Sequence, residues 1–260
     1  MKRLALVVAI LACLAAPALA DVTITSTISG KGGMAAMTGQ SVMAIKGTKM
    51  RIDTTMGNQQ FTSIIDAATG QIVYLDHKAK EARTFDSTKL TAELQKETGA
   101  GDVKVAFAPN GQTQEILGRK CDGYDLAITM PMAAGGEGGM TITMGGPVFI
   151  AKSSPGAADY AAFYKAAIKN NVFLGGNPER VKGQGSNIRG TTEMYRVIAD
   201  ANGVPYSVTM QTKFEGTGPM AGMMSRMGGM STTTTVTAVS VDPVPNDKFA
   251  VPAGYATRTK

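Results

Sequence analysis

The sequence predicts an α+β fold dominated by sheet, built around one large antiparallel or barrel-like sheet with few helices. Three observations carry this reading. β-Branched residues alternate with polar ones at period two. Turn chemistry recurs after almost every short apolar run, which leaves connections of only a few residues. Helical spacing is confined to two clear stretches and one short methionine-rich segment.

Taken in order, Val22, Ile24 and Ile28 interleave with Thr23, Thr25 and Thr27, the pattern of a half-buried strand, and Gly30 to Gly33 break it. Short strands are then expected over 41–45, 50–54, 61–65, 72–75 and 82–85, separated by Gly47, Gly57, 66–70 and 76–80. Connections this short join antiparallel neighbours, so the first third reads as a meander. Over 87–96 the period changes to helix: Asp86 or Ser87 can cap it, and Leu90 and Leu94 lie on one face. Strands are expected again over 103–107, 113–117, 124–130 and 140–151, with a small-residue loop over 133–139. The second helix is expected over 155–170, where Tyr160, Phe163, Tyr164 and Ile168 form a stripe that packs on the sheet. A polar stretch follows over 170–190, then strands over 191–198, 204–214 and 232–241, with 200–203 expected to be a hairpin turn through Asn202-Gly203.

The first twenty residues stand apart. Lys2 and Arg3 precede an apolar run over 4–14 and an Ala18-Leu19-Ala20 ending, the pattern of a secretory signal peptide with cleavage before Asp21. The run is shorter than the ~20 apolar residues of a permanent span. A weaker lipobox-like match ends at Cys13, so lipid anchoring there is the competing reading. Residues 21–260 are expected to form a single periplasmic domain, since about 240 residues fit one large β domain. Loss of Lys2 and Arg3 from 26 basic residues, against 20 acidic ones, leaves a net charge near +4. The charges are scattered, which speaks against nucleic acid and leaves room for transient contact with an anionic membrane surface. After leader removal Cys121 is a lone cysteine and is expected to be a buried small residue.

No catalytic machinery is recognisable. His77 is the single histidine and falls in a turn among lysines, where a solvated residue is expected rather than a general base. Gly-x-Ser-x-Gly, His-Glu-x-x-His and Walker-type loops are absent, and the glycines at 135–139 lack the elements of a phosphate cradle. No enzyme activity and no cofactor are expected.

The methionines are the anomaly: seventeen in 260 residues, eleven of them gathered in three groups. Met34 and Met37 form one, Met130, Met132, Met140 and Met144 a second, and Met220, Met223, Met224, Met227 and Met230 the densest. Spacings of three and four put Met220, Met223, Met227 and Met230 near one face of a short helix after Pro219. Three readings compete: core packing by a flexible apolar residue, a mobile apolar lid over a ligand, and Cu(I) binding by soft thioethers. Gly222, Gly228 and Gly229 each lower helix propensity by about 1 kcal/mol relative to alanine, which makes the segment marginal on its own, as a lid would be.

Several stretches together resemble a known family. They are Gly118-Arg119-Lys120-Cys121-Asp122-Gly123-Tyr124, the pattern Met50-Arg51-Ile52-Asp53 with Ile64-Ile65-Asp66 and Tyr74-Leu75-Asp76, and the Phe249-x-x-Pro252-x-Gly254-Tyr255 ending. They are similar to a bacterial family of exported proteins with a domain of unknown function, and to the lipoprotein-carrier (LolA/LolB-like) fold. The resemblance implies a curved, incomplete antiparallel β-barrel with two or three short helices across its concave face, a fold that in the carriers shelters acyl chains. The expectation is therefore a non-catalytic periplasmic protein binding a lipid or other hydrophobic ligand in a loosely covered trough, with Met220, Met223, Met224, Met227 and Met230 as its lid. The alternatives are a Cu(I) protein using those same methionines, and a structural protein of the envelope.

Overall fold

The alternating segments pair as the short turns between them dictate. The computed structural model describes residues 21–32, 38–97, 103–132, 140–172, 174, 178–180, 185–217, 223 and 229–260. Among these, the strands are β1 (Val22–Lys31), β2 (Thr38–Lys46), β3 (Lys49–Met56), β4 (Gln59–Asp66), β5 (Gln71–Asp76), β6 (Glu81–Asp86), β7 (Lys104–Ile116), β8 (Arg119–Met132), β9 (Met140–Ala151), β10 (Val204–Gly216), β11 (Met230–Ser240) and β12 (Ala256–Thr259). They form one sheet in the order β12-β6-β5-β4-β3-β2-β1-β11-β10-β9-β8-β7. The meander β1 to β6 is joined to the later strands through β1 and β11, paired antiparallel from Thr23↔Ser240 to Lys31↔Ser231. β12 and β7 remain as free edges, so the curved sheet is open.

Curvature follows from the core. Ile72 of β5 and Phe85 of β6 belong to the same hydrophobic cluster as Leu126 and Ile128 of β8. Flat, β5 and β8 would lie about 38 Å apart, eight strand spacings, too far for two helices to bridge. Three helices fill the inner face: α1 (Ser87–Glu97), α2 (Ala157–Lys169) and α3 (Gly185–Asp200). Asp86 caps α1, its carboxylate accepting from the backbone N–H of Thr88 at 3.0 Å and of Lys89 at 3.2 Å. The expected stripe on α2 does face inward: Tyr160, Phe163 and Tyr164 are buried, and Ile168 is half-buried. Burial pushes the Tyr160 and Tyr164 hydroxyls far above the ordinary phenol range, so both stay neutral.

Four expectations are corrected. Residues 191–198 are helical, the body of α3, because Met194, Val197, Ile198 and Ala201 recur at helical spacing and pack on the core. The β-branched residues Thr191, Thr192, Val197 and Ile198 bias the segment toward strand, and tertiary packing overrides that bias. The turn at 200–203 therefore joins a helix to β10, with Asn202 at φ 53. The two strands expected over 103–107 and 113–117 are one, β7, interrupted by a register shift between Pro109 and Thr113 opposite Tyr124 and Asp122. The trough is not loosely covered at its centre, where Tyr206, Met50, Ile128, Ile150 and the aromatic residues of α2 are almost fully buried.

The chain end supplies a second, smaller core on the outer face. After a 3-10 turn (Asn246–Phe249), Phe249, Val251 and Tyr255 cover Ile64, Val73, Leu75 and Ala82, and β12 then pairs parallel to β6. The Phe-x-x-Pro-x-Gly-Tyr ending is thus a clasp across the back of the sheet.

Candidate functional site

Strand connectivity sorts the turns into two ends. The connections β1–β2, β3–β4, β5–β6, β8–β9 and β10–β11 all lie at one end; β2–β3, β4–β5 and β7–β8 lie at the other. The three methionine groups are carried by the β1–β2, β10–β11 and β8–β9 connections, whose strands are consecutive in the sheet. A backbone contact ties two of these hairpins together: a Cβ at Gly32 would stand 2.5 Å from the carbonyl oxygen of Gly229.

Of the candidate lid residues, Met220, Met224 and Met227 lie outside the described residues, as do Met34 and Met37. Met223 and Met230 are exposed, at 57% and 49%. Met130 is buried and Met144 packs partly buried against the core, so those two are packing residues. Met132 and Met140 face each other across the β8–β9 pairing.

At the same end, the β3–β4 and β5–β6 tips enclose a cavity of about 750 Å³. Phe61 and Tyr74 are its aromatic lining, and His77, Lys78, Arg83 and Glu179 are polar residues around it. Arg83 is held by carboxylates, 2.9 Å from Glu81 and 3.6 Å from Asp76, with a close contact to Glu179. Glu81 and Glu179 are shared in turn with Arg258 and Lys260 of the clasp, at 2.9 and 3.5 Å. The rest of the lining is largely polar as well, with Thr55, Asn58, Gln59, Gln60 and Asp76, so Phe61 and Tyr74 stand as an apolar patch in a polar rim. A second, more open hollow of about 410 Å³ lies beside the stacked pair Phe107 and Tyr124, between Lys152 and Asp200.

His77 is not a freely solvated turn residue. It is half-buried, and both ring nitrogens are engaged: Nδ1 lies 2.7 Å from the Tyr255 hydroxyl and Nε2 lies 2.8 Å from Thr62 Oγ1. The Thr62 hydroxyl donates to Asp53 Oδ1 at 2.6 Å. Since that hydroxyl has one hydrogen, Nε2 of His77 donates to Thr62, while Nδ1 shares a hydrogen bond with the Tyr255 hydroxyl. Asp53 also receives Arg51 Nε at 2.8 Å and Nη2 at 2.8 Å, while Arg51 Nη1 donates to the Lys248 carbonyl at 3.1 Å. Burial works against the charged form of Asp53, yet the hydrogen bonds from Arg51 and Thr62 and the nearby Lys248 hold its carboxyl below the usual range. Arg51 and Asp53 alternate on the outer face of β3, a polar pattern legible in the sequence; that His77 and Tyr255 join them was not. This chain of hydrogen bonds fastens the clasp to the sheet.

Cys121 is buried as expected, its thiol pushed up chiefly by that burial, which makes it a poor nucleophile. Among the described residues, no group of three or more His, Cys, Asp or Glu side chains could hold a metal ion, and no helix is long and apolar enough to cross a membrane.

No protein-family model matches the chain, and no curated protein does. Solved structures similar to it include PNGF-II, at 11% identity and a TM-score of 0.37, covering 93% of this chain and 31% of that one. The chain thus spans about a third of the length of PNGF-II. Also similar is a putative outer membrane lipoprotein-sorting protein domain from Vibrio parahaemolyticus, at 7% identity and a TM-score of 0.36, covering 90% of this chain and 91% of that one. A DUF1329 family protein from Desulfovibrio piger ATCC 29098 matches at 7% identity and a TM-score of 0.32, covering 90% of each chain.

Proposed function

We propose that this is a non-catalytic binding protein of the bacterial envelope, receiving a lipid or another molecule with an apolar portion at the hairpin-tip end of the sheet. The carrying observation is the half-open hollow of about 750 Å³ at the β3–β4 and β5–β6 tips, where Phe61 and Tyr74 stand among polar residues that would suit a headgroup. Its size falls within the ~300–1,000 Å³ of small-molecule sites. The centre of the trough is filled by side chains, so an apolar guest has space at this end rather than beneath the helices. Met223 and Met230, exposed at the same end, add adaptable apolar surface. The engagement of both His77 nitrogens in the clasp supports a structural rather than a catalytic role for that residue.

The test is native mass spectrometry and lipid extraction of the protein purified from its own envelope, followed by titration with a fluorescent fatty-acyl probe. Co-purifying lipid is expected, with probe affinity about tenfold weaker in Phe61→Ala, the loss that removal of one aromatic contact predicts. Absence of both lipid and probe binding overturns the reading. The placement of three methionine-bearing hairpins side by side favours Cu(I) as a second reading. Competition with a Cu(I) chelator decides it: replacing Met220, Met223, Met224, Met227 and Met230 by leucine should abolish binding, and unchanged affinity rules this group out.

A further inference from the structure

A buried carboxylate lies where the leader would be cut. Asp159, in the first turn of α2, is 7% exposed, and its Oδ1 has no hydrogen-bond partner. A buried carboxylate left half-satisfied is costly, and natural proteins rarely keep one. The N-terminus of α2 offers partial compensation through its dipole, but Gly156 contributes no side-chain cap.

The helix start that carries this carboxylate abuts the start of β1. Gly156 sits against Val22: a Cβ there would stand 2.5 Å from Val22 Cγ2. The Asp159 carboxyl is pushed up, first by burial and also by the carboxylate of Asp21. Asp21 itself is already neutralised, since its Oδ2 lies 3.1 Å from Lys46 Nζ and accepts from the backbone N–H of Val244 at 2.7 Å. Lys46 is in turn committed to the Val244 carbonyl at 2.7 Å. The site thus holds two carboxylates and one cation, and the cation belongs to the other carboxylate. A metal ion is a poor fit, because among the described residues no third acidic or ligating side chain joins the pair.

We propose that the chain is processed between Ala20 and Asp21, and that the α-ammonium so created is the missing partner of Asp159. A leader peptidase adds water across the Ala20–Asp21 peptide bond; the hydroxyl goes to the Ala20 carbonyl carbon and the hydrogen to the Asp21 nitrogen. The new amine takes up a proton at neutral pH. Processing thereby locks the helix layer to the first strand with an ion pair that the unprocessed chain cannot make. This inference is independent of the ligand proposed above.

The experiment compares four proteins: the exported chain, the same chain retaining Ala20 (which moves the α-amine one residue away), and Asp159→Asn in each. Intact-mass analysis of the exported chain is expected to show Asp21 as its first residue. Retaining Ala20 is expected to lower Tm by at least about 5 °C. Asp159→Asn should lower Tm in the exported chain and raise it in the extended one, because it removes a partner in the first and a lone buried charge in the second. The Asp21 α-amine, followed by NMR, is expected to titrate above the ordinary ~7.7–8.0. An N-terminus elsewhere, equal Tm values to within about 1 °C, the same sign of the Asp159→Asn effect in both forms, or an ordinary α-amine titration overturns the proposal.

Discussion

At the scale of single residues, Asp53 decides where the clasp is anchored. Its carboxylate orients Thr62, the Thr62 oxygen accepts from His77 Nε2, and the other ring nitrogen is bonded to the Tyr255 hydroxyl. The Tyr255 hydroxyl is the partner of His77 Nδ1, so losing it leaves that nitrogen unmatched. Tyr255→Phe should cost about 1 kcal/mol, seen as a Tm lower by about 2–4 °C in calorimetry. The pH sign also follows. Asp53 titrates below 3.8 in the folded protein, so its contribution is present above that value and is lost as pH falls through the folded pKa. The Tm difference between the native protein and Asp53→Asn is therefore expected at pH 6 and should shrink as pH falls below 3.8. Cys121, buried and with its thiol pushed up by burial, should react with a disulfide reagent only when the protein unfolds.

At the scale of elements, bending the sheet depends on close backbone approach in its later half. A Cβ at Gly145 would stand 2.1 Å from the carbonyl oxygen of Leu126 on β8. That atom is backbone and cannot swing aside, so Gly145→Ala must push β8 and β9 apart where the sheet curves. We expect a loss of about 2–4 kcal/mol, measured as a lower urea midpoint with unchanged slope. The edge element β12 has the opposite character. Its four residues are exposed, yet it covers the free edge of β6 and its cations Arg258 and Lys260 meet Glu81 and Glu179. Deleting 256–260 should cost little stability but leave an unpaired edge, expected as concentration-dependent association in sedimentation.

At the scale of the molecule, the two faces of the sheet have different jobs. Among the described residues, the inner face carries one continuous core that joins both halves through the helices, and the outer face carries the small cluster beneath the clasp. β5 alternates between them: Ile72 and Tyr74 face the helices, Val73 and Leu75 face Phe249, Val251 and Tyr255. Hydrogen exchange should therefore find β5 amides among the slowest and those of 256–259 among the fastest.

The strand meander, the cap and inward stripe of the first two helices, and the burial of Cys121 were legible in the sequence, because each is written in local periodicity, turn chemistry or composition. α3 was not, since Thr191, Thr192, Val197 and Ile198 favour strand locally and only contact with the core reverses them. Of the candidate site, the sequence marked the methionines but could not place them. That the β1–β2 and β10–β11 connections lie side by side depends on β1 pairing with β11 across more than two hundred residues, and no local pattern encodes which distant strands will pair. Tertiary structure likewise decided that the ending motif is a clasp, that His77 belongs to it, and that the centre of the trough is filled by side chains. Those outcomes depend on which side chains meet across the fold, and the chain alone specifies only what each one would accept.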